Sequence, residues 1–237
     1  VPLHLNNKGR ENNCMKQEKQ VLVIFPHPDD EAFGVSGTIA SYTKAGIPVT
    51  YMCLTLGEMG RNLGNPPFAT RESLPNIRRQ ELKKAASIMG IKDLRMMGLR
   101  DKTIEFEDDK QLVSSISSVI DELKPSLVIS FYPGYSVHPD HDATGRAVVR
   151  ALEKIEKEKR PTLYAVAFSQ NCIEDLGEPD IIHDVKNYIS IKLDTLKAHA
   201  SQTQLITGPW EEKLKQGDKE ILEHLGTEKF WTYKWEK

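Results

Sequence analysis

Two short segments of this 237-residue chain concentrate side chains that handle protons and metal ions. The first is Pro26-His27-Pro28-Asp29-Asp30-Glu31, and the second, about 110 residues later, is His138-Pro139-Asp140-His141-Asp142. Carboxylates at 29–31 would also suit the first turn of a helix, where free N–H groups and the positive dipole end favour them. That role leaves His27 unexplained, because prolines on both sides restrict its backbone as a ligand held in position requires. A polar loop entering a helix, with Pro139 at the first helical position, accounts for one histidine of the second segment more easily than for two. Together the carboxylates and three histidines match a catalytic divalent-metal site, which takes three protein ligands and keeps one position open. His27, one carboxylate of the Asp29–Asp30 pair and one of His138 and His141 would form that triad, and spacing leaves the choice open. A spare carboxylate can take a proton from water whose pKa falls to about 7 on zinc. A free imidazole can polarise a carbonyl oxygen or protonate a leaving amine. Zn2+ is the expected ion, with Fe2+ or another divalent metal as the alternative.

Such a site needs a scaffold that brings the two segments together. Val21 to Phe25 is a continuous apolar run, as in a strand covered on both faces. Further strands are expected at Val49–Thr55, Leu94–Met97, Leu127–Phe131 and Thr162–Phe168. Helices are expected at Ala32–Ala45, Asn76–Met89, Lys110–Leu123 and Thr144–Lys159, two of them stopped by Gly46 and Gly90. A strand near Ile189 and a helix over Lys192–Gln202 would follow. Repeated units of this kind predict an α/β, Rossmann-like fold, with a mainly parallel central sheet and helices on both faces. In the order 3-2-1-4-5, strands one and four are neighbours where strand order reverses, and ligands bind there beyond the carboxyl ends of the strands. Both motifs lie just past those two ends. Cutting the chain midway would split the site, so residues 15–237 are expected to form a single domain.

Composition narrows the partners. A net charge of -2, from 32 Lys+Arg against 34 Asp+Glu, lacks the basic footprint of a nucleic-acid binder. No run approaches the roughly 18 apolar residues of a membrane span. Cys14, Cys53 and Cys172 are too few and scattered for a disulfide framework, and a cytoplasmic setting is expected. Met15 reads as the natural start, which makes residues 1–14 a disordered leader or upstream remnant. Residues 57–75 exceed the usual βα loop of about 2–6 residues and read as a lid or substrate rim. Arg61 and Arg71 in that loop could pair with a substrate carboxylate. Trp231, Tyr233 and Trp235 alternate and predict a strand with one aromatic face. That face is expected to pack on the domain, with a homo-oligomer contact as the alternative.

Pro-His-Pro-Asp-Asp-Glu after the first strand, with His-Pro-Asp-His downstream, resembles the zinc-dependent de-N-acetylases of the LmbE and PIG-L type. The resemblance runs from about Val21 to the C-terminus and implies a deacetylase acting on an N-acetylglucosaminyl conjugate. It implies His27, Asp30 and His141 as zinc ligands and Asp29 as general base. His138 would stabilise the oxyanion or donate a proton, with Asp140 orienting it. The loop carrying Glu58 and the segment around Arg78 match family regions near the substrate, so Glu58, Arg61 and Arg78 are the expected substrate contacts. Lys197-Ala198-His199-Ala200-Ser201-Gln202 resembles a late family segment, read as a helix packed near the site or touching it. Within the family the chain is most similar to deacetylases of bacillithiol synthesis, which implies N-acetylglucosaminyl-malate, a small-molecule glycoconjugate, as substrate. Zinc amidases acting on thiol conjugates or on other N-acetylated sugars are the alternative. A receiver-like signalling module needs an Asp ending strand three and a Lys ending strand five, where this chain has Met97-Gly98-Leu99 and Phe168-Ser169-Gln170, and a phosphoesterase would lack a glycine-rich phosphate cradle.

Overall fold

The computed structural model describes residues 18–235, so the expectations about residues 1–14 and Met15 lie outside the described residues. In chain order the elements are β1 (Val21–Phe25), α1 (Asp30–Gly34), α2 (Ser36–Lys44), β2 (Val49–Thr55), α3 (Leu74–Met89) and β3 (Asp93–Leu99). They continue with α4 (Asp109–Leu123), β4 (Leu127–Phe131), α5 (Pro139–Glu153), β5 (Thr162–Val166) and α6 (Cys172–Leu176). The last are β6 (Ile181–Asp184), α7 (Ile189–Ala198), α8 (Ala200–Lys215), α9 (Lys219–Gly226) and β7 (Thr227–Thr232).

One sheet runs β3-β2-β1-β4-β5-β7-β6, so the expected order 3-2-1-4-5 forms its parallel part. Val21 of β1 pairs with Val49 on one side and Leu127 on the other. β7 runs antiparallel to both β5 and β6. Alternation along β1 sorts its side chains between two cores. Val21, Val23 and Phe25 pack with Ile39 of α2 and Leu82 and Met89 of α3. Leu22 and Ile24 pack with Ile116 and Ile120 of α4 and Val148 and Leu152 of α5. Helices therefore cover both faces, which is why β1 is apolar at every position. Gly145 allows α5 to lie close on β4: an added Cβ would sit 2.6 Å from the Phe131 carbonyl oxygen.

Several boundaries differ from the sequence reading, each for a tertiary reason. The helix expected over 32–45 is broken at Val35 (φ -145°, ψ 8°), and the N–H groups of Gly37 and Thr38 point to the Glu228 carboxylate of β7. The helix expected over 192–202 is broken at His199, and the new helix start donates Ser201 N–H to Glu81. Ile189 opens a helix, and the strand lies earlier, at the sheet edge in β6. α5 starts at Pro139, so the second motif is the helix start itself. Phe168 lies beyond β5, its N–H bonded to the Tyr135 carbonyl instead of to the ladder. At the C-terminus, Tyr233 and Trp235 pack against the α4/α5 core and Arg160 covers the Trp235 ring, so this face is used within the chain.

Candidate active site

The loops after β1, β2, β3 and β4 converge on a crevice of about 660 Å³ beyond the carboxyl ends of the strands. It is lined by His27, Asp29, Asp30, Arg61, Arg78, Asp101, Lys102, His138 and His141, with Phe33, Met59 and Phe168 among the apolar walls. The two motifs thus meet at the predicted place.

His27 Nδ1 lies 3.2 Å from His141 Nε2 and 3.5 Å from Asp30 Oδ2, and His141 Nε2 lies 3.2 Å from Asp30 Oδ1. Outer partners fix both rings. His27 Nε2 faces Asp101 and Asp140, each at 3.1 Å, and His141 Nδ1 donates to the Ser136 carbonyl at 2.9 Å. Protons on these outer nitrogens leave the inner nitrogens as lone pairs, the arrangement that orients a ligating histidine. Two lone pairs and a carboxylate at this spacing require a cation between them, a proton or a metal ion. Donors ~2.0–2.1 Å from a tetrahedral zinc lie ~3.3–3.4 Å apart, which the His27–His141 spacing matches, while Asp30 turns one oxygen to each ring; the chemistry of these donors fits such an ion. His27, His138 and His141 form a second grouping close enough to share an ion, and His27, Asp101 and Asp140 a third. In the third, Asp140 is already committed to the N–H groups of Lys102 (2.7 Å) and Ile104 (3.1 Å).

Electrostatics follow the same contacts. Burial pulls His27 down, but hydrogen bonds to Asp101, Asp140 and Asp30 outweigh it and hold the ring well above its usual range. Burial would raise Asp30, yet the His141 and His27 rings keep it far below the carboxylate range. Asp29 is pushed up to about 6, chiefly by burial, with Arg78 opposing and Asp30 adding to the rise. A general base works best when its pKa lies near the operating pH. His138 is lowered by burial and then by the facing His27 and His141. Its Nδ1 accepts the Asp140 N–H at 3.1 Å, which places the ring proton on Nε2 of a neutral imidazole.

The remaining expected residues divide. The Asp140 backbone N–H meets His138 Nδ1, while its carboxylate, expected at His138, faces His27 instead. Arg78 is 3% exposed and its guanidinium donates to Gly57 O (2.6 Å), Pro28 O and Asp29 Oδ2 (3.0 Å). It therefore braces Asp29 as well as lining the crevice. Gly57, at φ 61°, makes room for it, since an added Cβ would overlap the guanidinium. Glu58 is turned away from the crevice and accepts the Asp101 N–H at 3.1 Å. Arg61 lines the crevice, whereas Arg71 is bonded to the Gly60 carbonyl within the loop. In the late segment, Gln202 binds the rim loop at Asn62, and His199 is wholly buried against Glu31.

Asp101 escaped the sequence reading. It stands alone after strand three, outside either motif. Its signal was positional, a carboxylate just past a strand end beside the switch point, and the expected strand ended too early to expose it.

The fold and crevice define an α/β protein whose strand-end site holds a metal-competent donor triad flanked by an acid and an imidazole. Residues 22–152 match the family described as PIG-L: GlcNAc-PI de-N-acetylase. The chain is 57% identical over 219 residues to the probable N-acetyl-alpha-D-glucosaminyl L-malate deacetylase 2 of Bacillus anthracis, covering 92% of this chain and 97% of that protein. It is 52% identical to the protein of that name in Bacillus subtilis (strain 168), covering 92% and 99%. The N,N'-diacetylchitobiose deacetylase of Pyrococcus horikoshii has the same fold, with TM-score 0.72 at 23% identity over 94% of this chain and 86% of that one. The chain belongs to the PIG-L family of deacetylases.

Proposed function

We propose that the protein hydrolyses the acetamide of N-acetylglucosaminyl-malate, releasing acetate and the free glucosaminyl amine, as a cytoplasmic enzyme of bacillithiol biosynthesis. The observation that carries the chemistry is the converging triad of His27, Asp30 and His141, with Asp29 and His138 beside it in complementary protonation states. The substrate rests on the identity to the malate deacetylases over nearly the whole chain. His27, Asp30 and His141 would hold a divalent ion, zinc by expectation. When bound, that ion supplies Lewis acidity, lowering the pKa of water and polarising the acetamide carbonyl.

The chain's own residues do the rest. Asp29 takes a proton from the attacking water as its oxygen bonds to the carbonyl carbon. The His138 Nε2–H donates a hydrogen bond to the carbonyl oxygen as negative charge develops there. The C–N bond breaks as the amine nitrogen gains a proton, and water is divided between acetate and amine. Arg61 and Lys102 line the crevice without a carboxylate partner among the described residues, and we assign them to the malate carboxylates. Glu58 acts by holding Asp101 in place.

The test is amine release from N-acetylglucosaminyl-malate and from N-acetylglucosamine, with zinc-loaded and chelator-treated protein. Faster release from the malate conjugate and loss of turnover on chelation are expected. Equal rates on both substrates would remove the malate assignment, and full turnover after verified metal removal would remove the metal.

A further inference from the structure

Asp29 holds a backbone conformation that L-residues avoid, at φ 109° and ψ -23°. A positive φ at a non-glycine residue is strained and persists only where the surroundings over-determine it. Two sets of contacts do so. Arg78 holds the Asp29 carboxylate and the preceding carbonyl, as described above. The second set lies beneath the residue and is wholly buried.

At its centre is Glu31, with 0% exposure. Its Oε2 accepts the Asp29 backbone N–H at 3.1 Å and the Tyr51 hydroxyl at 3.0 Å. The Tyr51 hydroxyl also lies 3.3 Å from the His27 carbonyl, which ties the same group to the start of the motif. The other oxygen, Oε1, lies 2.6 Å from His199 Nε2. His199 Nδ1 is buried and has no hydrogen-bond partner among the described residues, so the ring proton belongs on Nε2, where Glu31 accepts it. A buried N–H without an acceptor is costly, whereas a bare ring nitrogen is less so. His199 is 168 residues from Glu31 in sequence, 0% exposed, and seated at the junction of α7 and α8. It neither lines the crevice nor touches the triad.

We propose that His199 is a positioning residue for Asp29, acting through Glu31. Its Nε2–H locks the Glu31 carboxylate so that Oε2 faces the Asp29 N–H, and that bond keeps the general base in its strained, crevice-facing conformation. Without the donor, Oε1 lies buried and unpaired, and the carboxylate rotates to recover a partner. This inference rests on the deacetylase reading for its kinetic part only.

The experiment compares wild type, His199→Phe and His199→Gln. Glutamine places an amide N–H near the position of Nε2, while phenylalanine fills the space without a donor. His199→Phe is expected to lower kcat on N-acetylglucosaminyl-malate about 10–100-fold, as loss of outer partners commonly does, with KM and zinc bound per chain unchanged. His199→Gln is expected to restore most of kcat. Amide hydrogen exchange at residue 29 should quicken in His199→Phe and stay slow in His199→Gln. Wild-type kcat in His199→Phe would overturn the proposal. Equal damage in both variants would overturn it too, because the packing of the ring would then matter and not its donor. A parallel loss of zinc would also overturn it, placing the effect on the triad. Should His199→Phe fail to fold, Tyr51→Phe removes the other donor to the same carboxylate and keeps its ring; unchanged kcat and unchanged exchange at residue 29 would then sink the idea. If the wild type releases no amine at all, the functional reading fails while the exchange measurements still decide the role of His199.

Discussion

Glu31 and Glu228 are both buried carboxylates that receive backbone N–H groups, yet they serve opposite ends. Glu228, on β7, accepts the Gly37 and Thr38 N–H groups at the start of α2 and is paired with Lys192 at 2.6 Å. Its charge is cancelled on the spot and its partners have ordinary helical geometry. Glu31 has no lysine or arginine partner among the described residues. Its partners are a histidine, a tyrosine and the amide of a residue with positive φ, and three further carboxylates stand nearby at Asp29, Asp30 and Asp101. One region uses buried polar groups to close a helix start. The other uses them to hold groups in states that water would not favour. The difference separates stability from chemistry within the same sheet.

Replacing Asp29 should show the separation most sharply. Asp29→Asn removes the proposed base and is expected to cut kcat by about 10²–10⁴-fold, measured under saturating substrate. Stability should not fall. The folded pKa of about 6 lies above the ordinary carboxylate value, so the ionised group is disfavoured in the fold at pH 7 and Asn relieves that penalty. A large drop in the denaturation midpoint would break the distinction.

Lys192→Met should do the reverse. It leaves the buried Glu228 charge uncompensated and is expected to cost about 3–5 kcal/mol in urea denaturation. The folded fraction should keep wild-type kcat, because Lys192 and Glu228 do not line the catalytic crevice. A kcat loss exceeding the loss of folded protein would join the two regions.

Glu81 tests a case between them. It caps α8 by accepting the Ser201 N–H and hydroxyl, each at 2.7 Å. Glu81→Gln is expected to cost about 1 kcal/mol, in the range of a lost helix cap. Its effect on KM, read through Gln202 and the rim loop, should be small.

The smallest effect is a pH dependence on the Glu228 side. His183 is lowered by burial, with Glu228 partly opposing, and its Nδ1 meets the Thr38 hydroxyl at 2.9 Å. The unfolded chain therefore binds a proton at this residue before the folded chain does. Stability should fall as pH drops below the ordinary histidine pKa, and His183→Gln should flatten that slope in denaturation series between pH 8 and pH 5. An unchanged slope would show that His183 is not held neutral.

Much of this was legible beforehand because it is local. Runs rich in β-branched, aromatic and other apolar residues marked β1, β2 and β4 at their observed bounds, since a strand covered on both faces carries no charged positions to blur its ends. Gly90 stops α3 in a left-handed conformation, as its position implied. The helix breaks at Val35 and His199 were not legible. Gly34 and Gly37 weaken a helix around Val35 without fixing where it breaks, and the acceptors that take the N–H groups of the new helix starts, Glu228 and Glu81, come from elsewhere in the chain. Strand β6 was missed for a related reason, because its alternation spans only four residues at a sheet edge.

The sequence by itself determined where the first five strands lie along the chain and which residue types stand at their ends, and the common order for such units then placed the two motifs together. It did so because hydrophobic periodicity and strand-end position are properties of consecutive residues. Tertiary structure alone decided the division of labour among those residues. It directed Asp140 to His27, turned Glu58 toward Asp101, committed the Arg78 guanidinium to Asp29, and placed His199 beneath the base. Each of these is a choice among acceptors far apart in the chain, and only the packed sheet brings the competitors within hydrogen-bonding distance.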